Sequence, residues 1–437
     1  MPARGYDVIV VGSRVAGAAT AMLLGRRGLR VLAVDRARFP SDTLSTHQIQ
    51  VPGVARLLRW GLLDQLVTTG TPATREIRLD PGGVVLAGRY PAHDGADALF
   101  SPRRTVLDLL LVDAARAAGV EVREGFDVDD LVWDQGRVVG VRGRQRGGAP
   151  VTETASLVVG ADGKRSMVAA AVRATAYRER PASTFACYTY WSGVAMSGGE
   201  LYQRPGRTVA VFPTNDHLTI AYLAGPAAGF PAFRADVEGH YLATLDSCGD
   251  LGARVRAGER AERFRLTPDV PNVFRVPHGP GWAPVGDAGL VMDPITGQGI
   301  GNAFRDVELL VDAIATGLDS GGRLGTELAG YRACRDTAAT PMYALTLDLA
   351  SFRPPSAVDR QLFAALQDRP AAVEQFLGVL SGAVPMSRFR SPRNLLNLLG
   401  PRALTRIATA ELRGRLRFRQ SDRGRLPRQQ PHPRRGG

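Results

Sequence analysis

The chain is poor in several things, and each scarcity closes off a class of protein. It has only three cysteines, Cys187, Cys248 and Cys334, and no Cys-x-x-Cys pair. That excludes a disulfide scaffold and a zinc ribbon and fits a reducing, cytoplasmic setting. No uninterrupted apolar run approaches about 18 residues, so no transmembrane helix is expected. The first residues lack the long apolar core of a signal peptide. His217, His240 and His278 show no metal-ligand spacing, so no metal site is expected. Lys164 is the single lysine among 55 basic residues, and the rest are arginine. Coding bias of a GC-rich genome is the plain reading of that imbalance.

What is present is ordinary globular composition: 437 residues, 44% hydrophobic and 22% charged. That length suggests two or three domains. The net charge of +13 looks like a nucleic-acid signal until it is located. From Arg402 to Gly437 there are eleven arginines against Glu411 and Asp422, so most of the excess sits there. Residues 413–437 read as a disordered basic tail, able to touch an anionic membrane transiently but carrying no specific nucleic-acid signature.

Tyr6 to Val11 is a strand-length apolar run ending at Gly12, Ala16 to Leu24 is helical and rich in small residues, and Arg30 to Asp35 is a second buried strand. The chain thus opens on a β-α-β unit. Between them Gly12-Ser13-Arg14-Val15-Ala16-Gly17 makes a tight turn from strand to helix. A dinucleotide loop needs such a turn, close backbone approach and close helix–strand packing. Gly12 and Gly17 suit the first and third needs. Arg14 stands where a second glycine belongs, and its guanidinium could meet an anion. Asp35, ending the next strand, is placed for ribose hydroxyls. Two later strands also end in Gly/Asp turns, at Gly160-Ala161-Asp162-Gly163 and at Gly286-Asp287-Ala288-Gly289. The second leads into Asp293-Pro294-Ile295-Thr296-Gly297-Gln298-Gly299-Ile300-Gly301-Asn302, a glycine-rich opening of a helix, whose N-terminus favours negative charge.

These three motifs, in this order, resemble the FAD-dependent oxidoreductases of the para-hydroxybenzoate hydroxylase and geranylgeranyl reductase superfamily, the group A flavoprotein monooxygenases and their kin. The resemblance implies an α/β fold: a Rossmann-like FAD-binding domain from 1–73, 101–175 and 277–345, an inserted antiparallel β-sheet substrate domain from 74–100 and 176–276, and a helical C-terminal region from 346–412. It implies FAD held by Gly12, Arg14, Val15, Ala16, Gly17, Asp35 and Arg36 at its ADP half. Arg104 would approach the ribityl-phosphate, Val128 would offer its backbone to adenine, and Asp162 and Gly163 would support flavin and NAD(P)H. Asp287 would bond the ribityl chain, with Pro294, Gly297, Gly299, Ile300, Gly301 and Asn302 beside the ring.

Departures matter. Ala169 stands where hydroxylases carry an arginine, and Leu290 where they carry a histidine. The one lysine lies inside the Asp-Gly motif, and Trp191 is followed by Ser192, so the lysine and Trp-x-Trp of flavin-dependent halogenases are missing. The resemblance leaves two chemistries open for a small or medium organic substrate, plausibly in secondary metabolism. One is hydroxylation or epoxidation by NAD(P)H, O₂ and a C4a-hydroperoxyflavin. The other is reduction of a C=C bond. A lipid-escort protein on the same fold is a distant third. His47, Asp293 and Tyr190 are the catalytic candidates, with satisfied structural roles as their alternative.

Overall fold

In a computed structural model, residues 5–319 and 323–423 are described, with side chains through Thr409. The first sheet is built on the opening unit: β1 (Tyr6–Val11), α1 (Val15–Arg26) and β2 (Val31–Asp35). β1 lies parallel between β2 and a long strand, β3 (Pro150–Gly160). The whole sheet runs 121–124, β2, β1, β3, 137–145, 126–134, and 282–284 joins β3 in parallel. β1 and β2 are almost wholly buried because helices cover one face and the 126–145 hairpin the other, which is why they read as continuous apolar runs. That hairpin turns at Gln135 and Gly136, both with positive φ, as a two-residue turn requires.

The second sheet has eight strands. Its centre is antiparallel: β4 (Thr184–Ser192), β5 (Arg207–Pro213) and β6 (Thr219–Pro226), in the order β4, β6, β5. Strand 199–204 then pairs antiparallel with β5 and parallel with 76–80. Alternation divides its faces. Ala186, Tyr188, Tyr190, Phe212, Ile220 and Tyr222 join the main core, while Phe185, Cys187, Val209, Val211 and Leu223 pack beneath the helices of 230–257.

Within the C-terminal region the segment 354–380 forms two helices, Ala357–Leu366 and Pro370–Ser381, because Pro370 supplies no N–H and keeps Arg369 out of the helical region. The expected irregular tail is helical as far as Arg423, in a run rich in Leu, Ala and Arg, all good helix formers. Residues 424–437 lie outside the described residues.

Gly17 sets the tightest backbone contact in the frame. A Cβ there would stand 1.7 Å from the Gly12 carbonyl oxygen. Gly17→Ala must push α1 off β1, and overpacking of that kind costs about 1–3 kcal/mol. We expect a lower urea midpoint for the apoprotein. A midpoint equal to wild type refutes the packing argument.

Candidate functional site

The turn out of β1 is held from three sides. Gly12 adopts φ 93°, its N–H donates to the Val34 carbonyl, and a Cβ on it would strike the Ala161 carbonyl at 2.6 Å. The Ser13 N–H donates to Asp35 at 2.6 Å, and the Ala37 N–H to the other oxygen of the same carboxylate at 2.7 Å. Asp35 therefore shapes the loop; its remaining lone pairs are free for a ribose. Arg36 is exposed. Arg14 needs no glycine's freedom, since its φ is −84°. Its guanidinium does not wait for an anionic ligand. It binds Asp108 at 2.7 Å, the Ser41 hydroxyl at 2.7 Å and the Ser41 carbonyl, and lies over the Phe39 ring. Where the sequence pointed to an anion of the ligand, a protein carboxylate takes its charge. Arg104, the first residue of α2 (Arg104–Ala117), grips the same Asp108 through two nitrogens. Val15, Ala16 and Gly17 form the first turn of α1, and the Arg14 carbonyl accepts from Ala18. No side chain caps that helix, and the Ser13 hydroxyl is buried without a partner. Open amides and an orphaned hydroxyl at a helix N-terminus suit a phosphate.

The other two motifs differ in what they leave available. Asp162 accepts from the Met167 and Val168 N–H groups and the Ser166 hydroxyl, so it caps the helix Met167–Ala171 and shapes the turn at Gly163, φ 81°. Asp287 has no hydrogen bond to its carboxylate among the described residues. Its side chain is exposed on the surface, with protein packed close around it. Burial raises its pKa, against the pull of Arg104, Lys164 and Arg275. Arg335, fully buried, holds that turn by donating to the Gly289 and Arg275 carbonyls.

Beyond it, Pro294 opens a short turn that ends at Gly297, φ 61°, where a Cβ would hit the Gln48 side chain. α3 (Gly299–Asp319) starts there. A Cβ on Gly299 or Gly301 meets nothing within 4 Å. Ile300 is buried. Asn302 is spent within the protein, donating to the Met292 sulfur and accepting from Arg305. Val128 is half-buried in the sheet beside strand 137–145, paired with Gly143. The unpaired Asp287, the orphaned Ser13 hydroxyl and the open space over Gly299 together fit a bound dinucleotide. Arg14, Arg104, Asp162 and Asn302 are predicted cofactor residues whose side chains bond within the protein.

The catalytic candidates are all buried and partnered. His47 takes φ 61°, bonds the Tyr190 hydroxyl through Nε2, and leaves Nδ1 without a partner. Burial, with Arg104, Arg103 and Arg265 nearby, holds its pKa well below the usual histidine value. Arg103 stacks over the Tyr190 ring, and burial pushes that phenol far above its normal range. Asp293 accepts from the Thr184 hydroxyl at 2.5 Å and the Ile295 N–H at 3.0 Å, the pattern of a turn cap. None of the three lines the cavity described next, which is what sequence reasoning missed.

That cavity, about 730 Å³, has the inner face of the second sheet as one wall, including Ala210, Phe212, Ile220 and Tyr222. The C-terminal helices supply another, with Phe363, Phe376, Leu380 and Phe389. It reaches the Pro294–Gly297 turn beside Gln48 and Gln50. The alternation of Ala210 and Phe212 with Ile220 and Tyr222 was the available signal, but it reads equally as core.

The sequence family described as FAD binding domain matches residues 5–228. The digeranylgeranylglycerophospholipid reductase of Methanocella arvoryzae is 28% identical over 75% of this chain and 82% of its own length. The phenazine 1,6-dicarboxylic acid hydroxylase of Lysobacter antibioticus is 31% identical over 51% of this chain, and the match spans about half of that enzyme, 54%. Among solved structures, the myxobacterial chondrochloren halogenase superposes with a TM-score of 0.72 at 22% identity, over 92% of this chain and 95% of its own.

Two tests follow from the geometry. Gly299→Val puts methyl groups into open space, so the apoprotein should keep its stability while FAD content after reconstitution falls. Full FAD content in the variant places the dinucleotide elsewhere. For His47, the unfolded chain takes up a proton below about pH 6.5 that the folded protein refuses. Stability is therefore complete above that pH and is lost as pH falls, by at most about 1.4 kcal/mol per pH unit. Denaturation of wild type and His47→Asn between pH 7.5 and 5.5 should show the shallower slope in the variant; equal slopes refute a neutral buried His47.

Proposed function

We propose, from the premise that the chain belongs to the FAD-binding-domain family of flavin-dependent oxidoreductases, that it is a monooxygenase of a large, mostly apolar molecule. The observation that carries this is the 730 Å³ cavity ending on the Pro294–Gly297 turn. Its size suits a drug-sized organic compound. Its apolar walls drive uptake by burial, worth about 25 cal/mol per Å² before ordering costs. Of the charged residues around it, Asp348 pairs with Arg353 and Arg204 with Asp80, while Arg207 and Arg390 have no ion pair among the described residues. The polar side chains against the turn, Gln48 and Gln50, are uncharged. Bound FAD supplies two-electron chemistry and, once reduced by NAD(P)H, activation of O₂. The chain's own part is to exclude water, so that reduced oxygen goes to substrate rather than to waste. Asp287 would hold the ribityl chain, and the open amides of α3 would favour negative charge on the reduced ring. The overall balance is one substrate, one O₂ and one NAD(P)H with a proton, giving one oxygenated product, water and NAD(P)⁺.

A reductase of C=C bonds is the second reading. It draws on the likeness to the Methanocella arvoryzae enzyme over most of both chains.

Oxygen decides between them. Holoenzyme given NAD(P)H, ¹⁸O₂ and a panel of polycyclic and isoprenoid compounds should place one labelled oxygen in product. NAD(P)H consumption without O₂, yielding a product two hydrogens heavier, overturns the monooxygenase in favour of the reductase.

A further inference from the structure

Charge is spread unevenly along this chain. Residues 354–437 hold sixteen arginines and no lysine against five acidic residues, so this stretch carries +11 of the net +13 and leaves +2 for the other 353 residues. The two parts also treat their arginines differently. Before residue 354 ion pairs occur throughout, as in Arg14–Asp108, Arg204–Asp80 and Arg353–Asp348. Among the described residues of 354–409 there is no ion pair. Arg388, Arg390, Arg393, Arg402 and Arg406 are all exposed there, and their guanidiniums make no hydrogen bond among the described residues. The five sit on neighbouring elements, the short helix Met386–Phe389 and the helical run from Pro392 with its break at Gly400. Apolar residues of that run, Leu395, Leu398, Leu399, Ala403 and Ile407, pack inward against the main core, so the arginines form the outward face. Leu396, three residues after Arg393 and on the same side of the helix, is 45% exposed. Unpaired like charges repel, so such a face costs the free protein stability and gains it when an anionic surface meets it.

We propose that this face docks the protein on an anionic lipid surface, its guanidiniums meeting lipid phosphates and Leu396 entering the headgroup layer. Guanidiniums are weakly hydrated and match phosphate with two parallel hydrogen bonds. Each basic residue near a negatively charged bilayer strengthens binding about fivefold. The docking is peripheral: among the described residues no helix is long and apolar enough to cross a membrane. A nucleic acid is the other polyanion, and two observations weigh against it. Proteins that hold single strands stack the bases on aromatic rings. Residues 354–437 contain no Tyr or Trp, and Phe363, Phe376 and Phe389 are spent on the cavity wall. The cavity also opens among these helices, since exposed Pro354, Ser356 and Arg390 line it together with those three rings. Docking by this face brings the outer end of the cavity to the bilayer, where an apolar molecule dissolves, and spares that molecule a passage through water. Delivery of substrate in this way rests on the cavity being the chamber read above; the docking does not.

Co-sedimentation of the FAD-loaded full chain with vesicles tests it. Vesicles of equal parts phosphatidylcholine and phosphatidylglycerol should bind the protein, and vesicles of phosphatidylcholine alone should not. About 1 M salt should release it, since charges are then screened beyond about 3 Å. Arg388→Gln, Arg393→Gln and Arg402→Gln together should weaken binding on the order of a hundredfold. Flavin content and urea midpoint should stay at wild type, because these side chains are exposed. Arg137→Gln, Arg142→Gln and Arg146→Gln together, at exposed positions on and beside the 126–145 hairpin, match that loss of net charge and should weaken binding only a few-fold. Equal binding to both vesicle types, binding to neither, or a first variant that binds no more weakly than the second overturns the docking face. So does tighter binding to a poly-uridine strand than to the mixed vesicles, which assigns the face to nucleic acid. A first variant that loses flavin or stability shows that the arginines serve the fold, and overturns it as well.

Discussion

A single buried carboxylate holds the dinucleotide end of the molecule together. Asp108 has no exposed side-chain surface and lies between Arg14 of the β1–α1 turn and Arg104 of α2. Two guanidiniums on one carboxylate leave a net positive charge where a pyrophosphate would bring a negative one. Removing either arginine still leaves a pair, but removing the carboxylate leaves two cations facing each other in low dielectric, the costly way to break such a site. Through Arg14 the same carboxylate reaches the 39–42 segment, so loop, helix and the approach to His47 move as one piece.

Charge elsewhere follows a related logic. His47 and Tyr190 are neutral groups in a region crowded by arginines, and burial keeps them so. Arg103 and Arg265 are drawn off by Glu262, and Arg265 also by Asp42. These neutral groups thus sit beside arginines that are paired with carboxylates. Arginine suits that arrangement, because guanidiniums keep their charge when half-buried and bind carboxylates in a fixed plane.

Much of the frame was legible because it is local. A strand, a glycine turn and a helix rich in small residues announce themselves within thirty residues, and so do the turns at Gly160–Gly163 and Gly286–Gly289. What those residues do with their side chains was not legible. Arg14 looked like an anion ligand because its partner, Asp108, is far along the chain. Asp162 looked like a cofactor residue, and it spends its oxygens on the helix it precedes. His47 and Tyr190 drew notice as functional residue types, yet they satisfy each other. Arg388, Arg390 and Arg393, unpaired among the described residues, drew none, since being without a partner is a property of three dimensions. The cavity was invisible for the same reason: its walls come from segments some 180 residues apart.

That separation also orders events in time. The last glycine-rich turn and the start of α3 are made by residue 302, but the second wall of the cavity ends near Arg390. At about 5–20 residues per second, synthesis leaves on the order of ten seconds between them. During that interval the inner face of the second sheet, with Phe212, Ile220 and Tyr222, has no helices to cover it. The nascent chain thus carries an apolar face through that interval, and the late helices act first as its cover and only afterwards as the wall of a chamber.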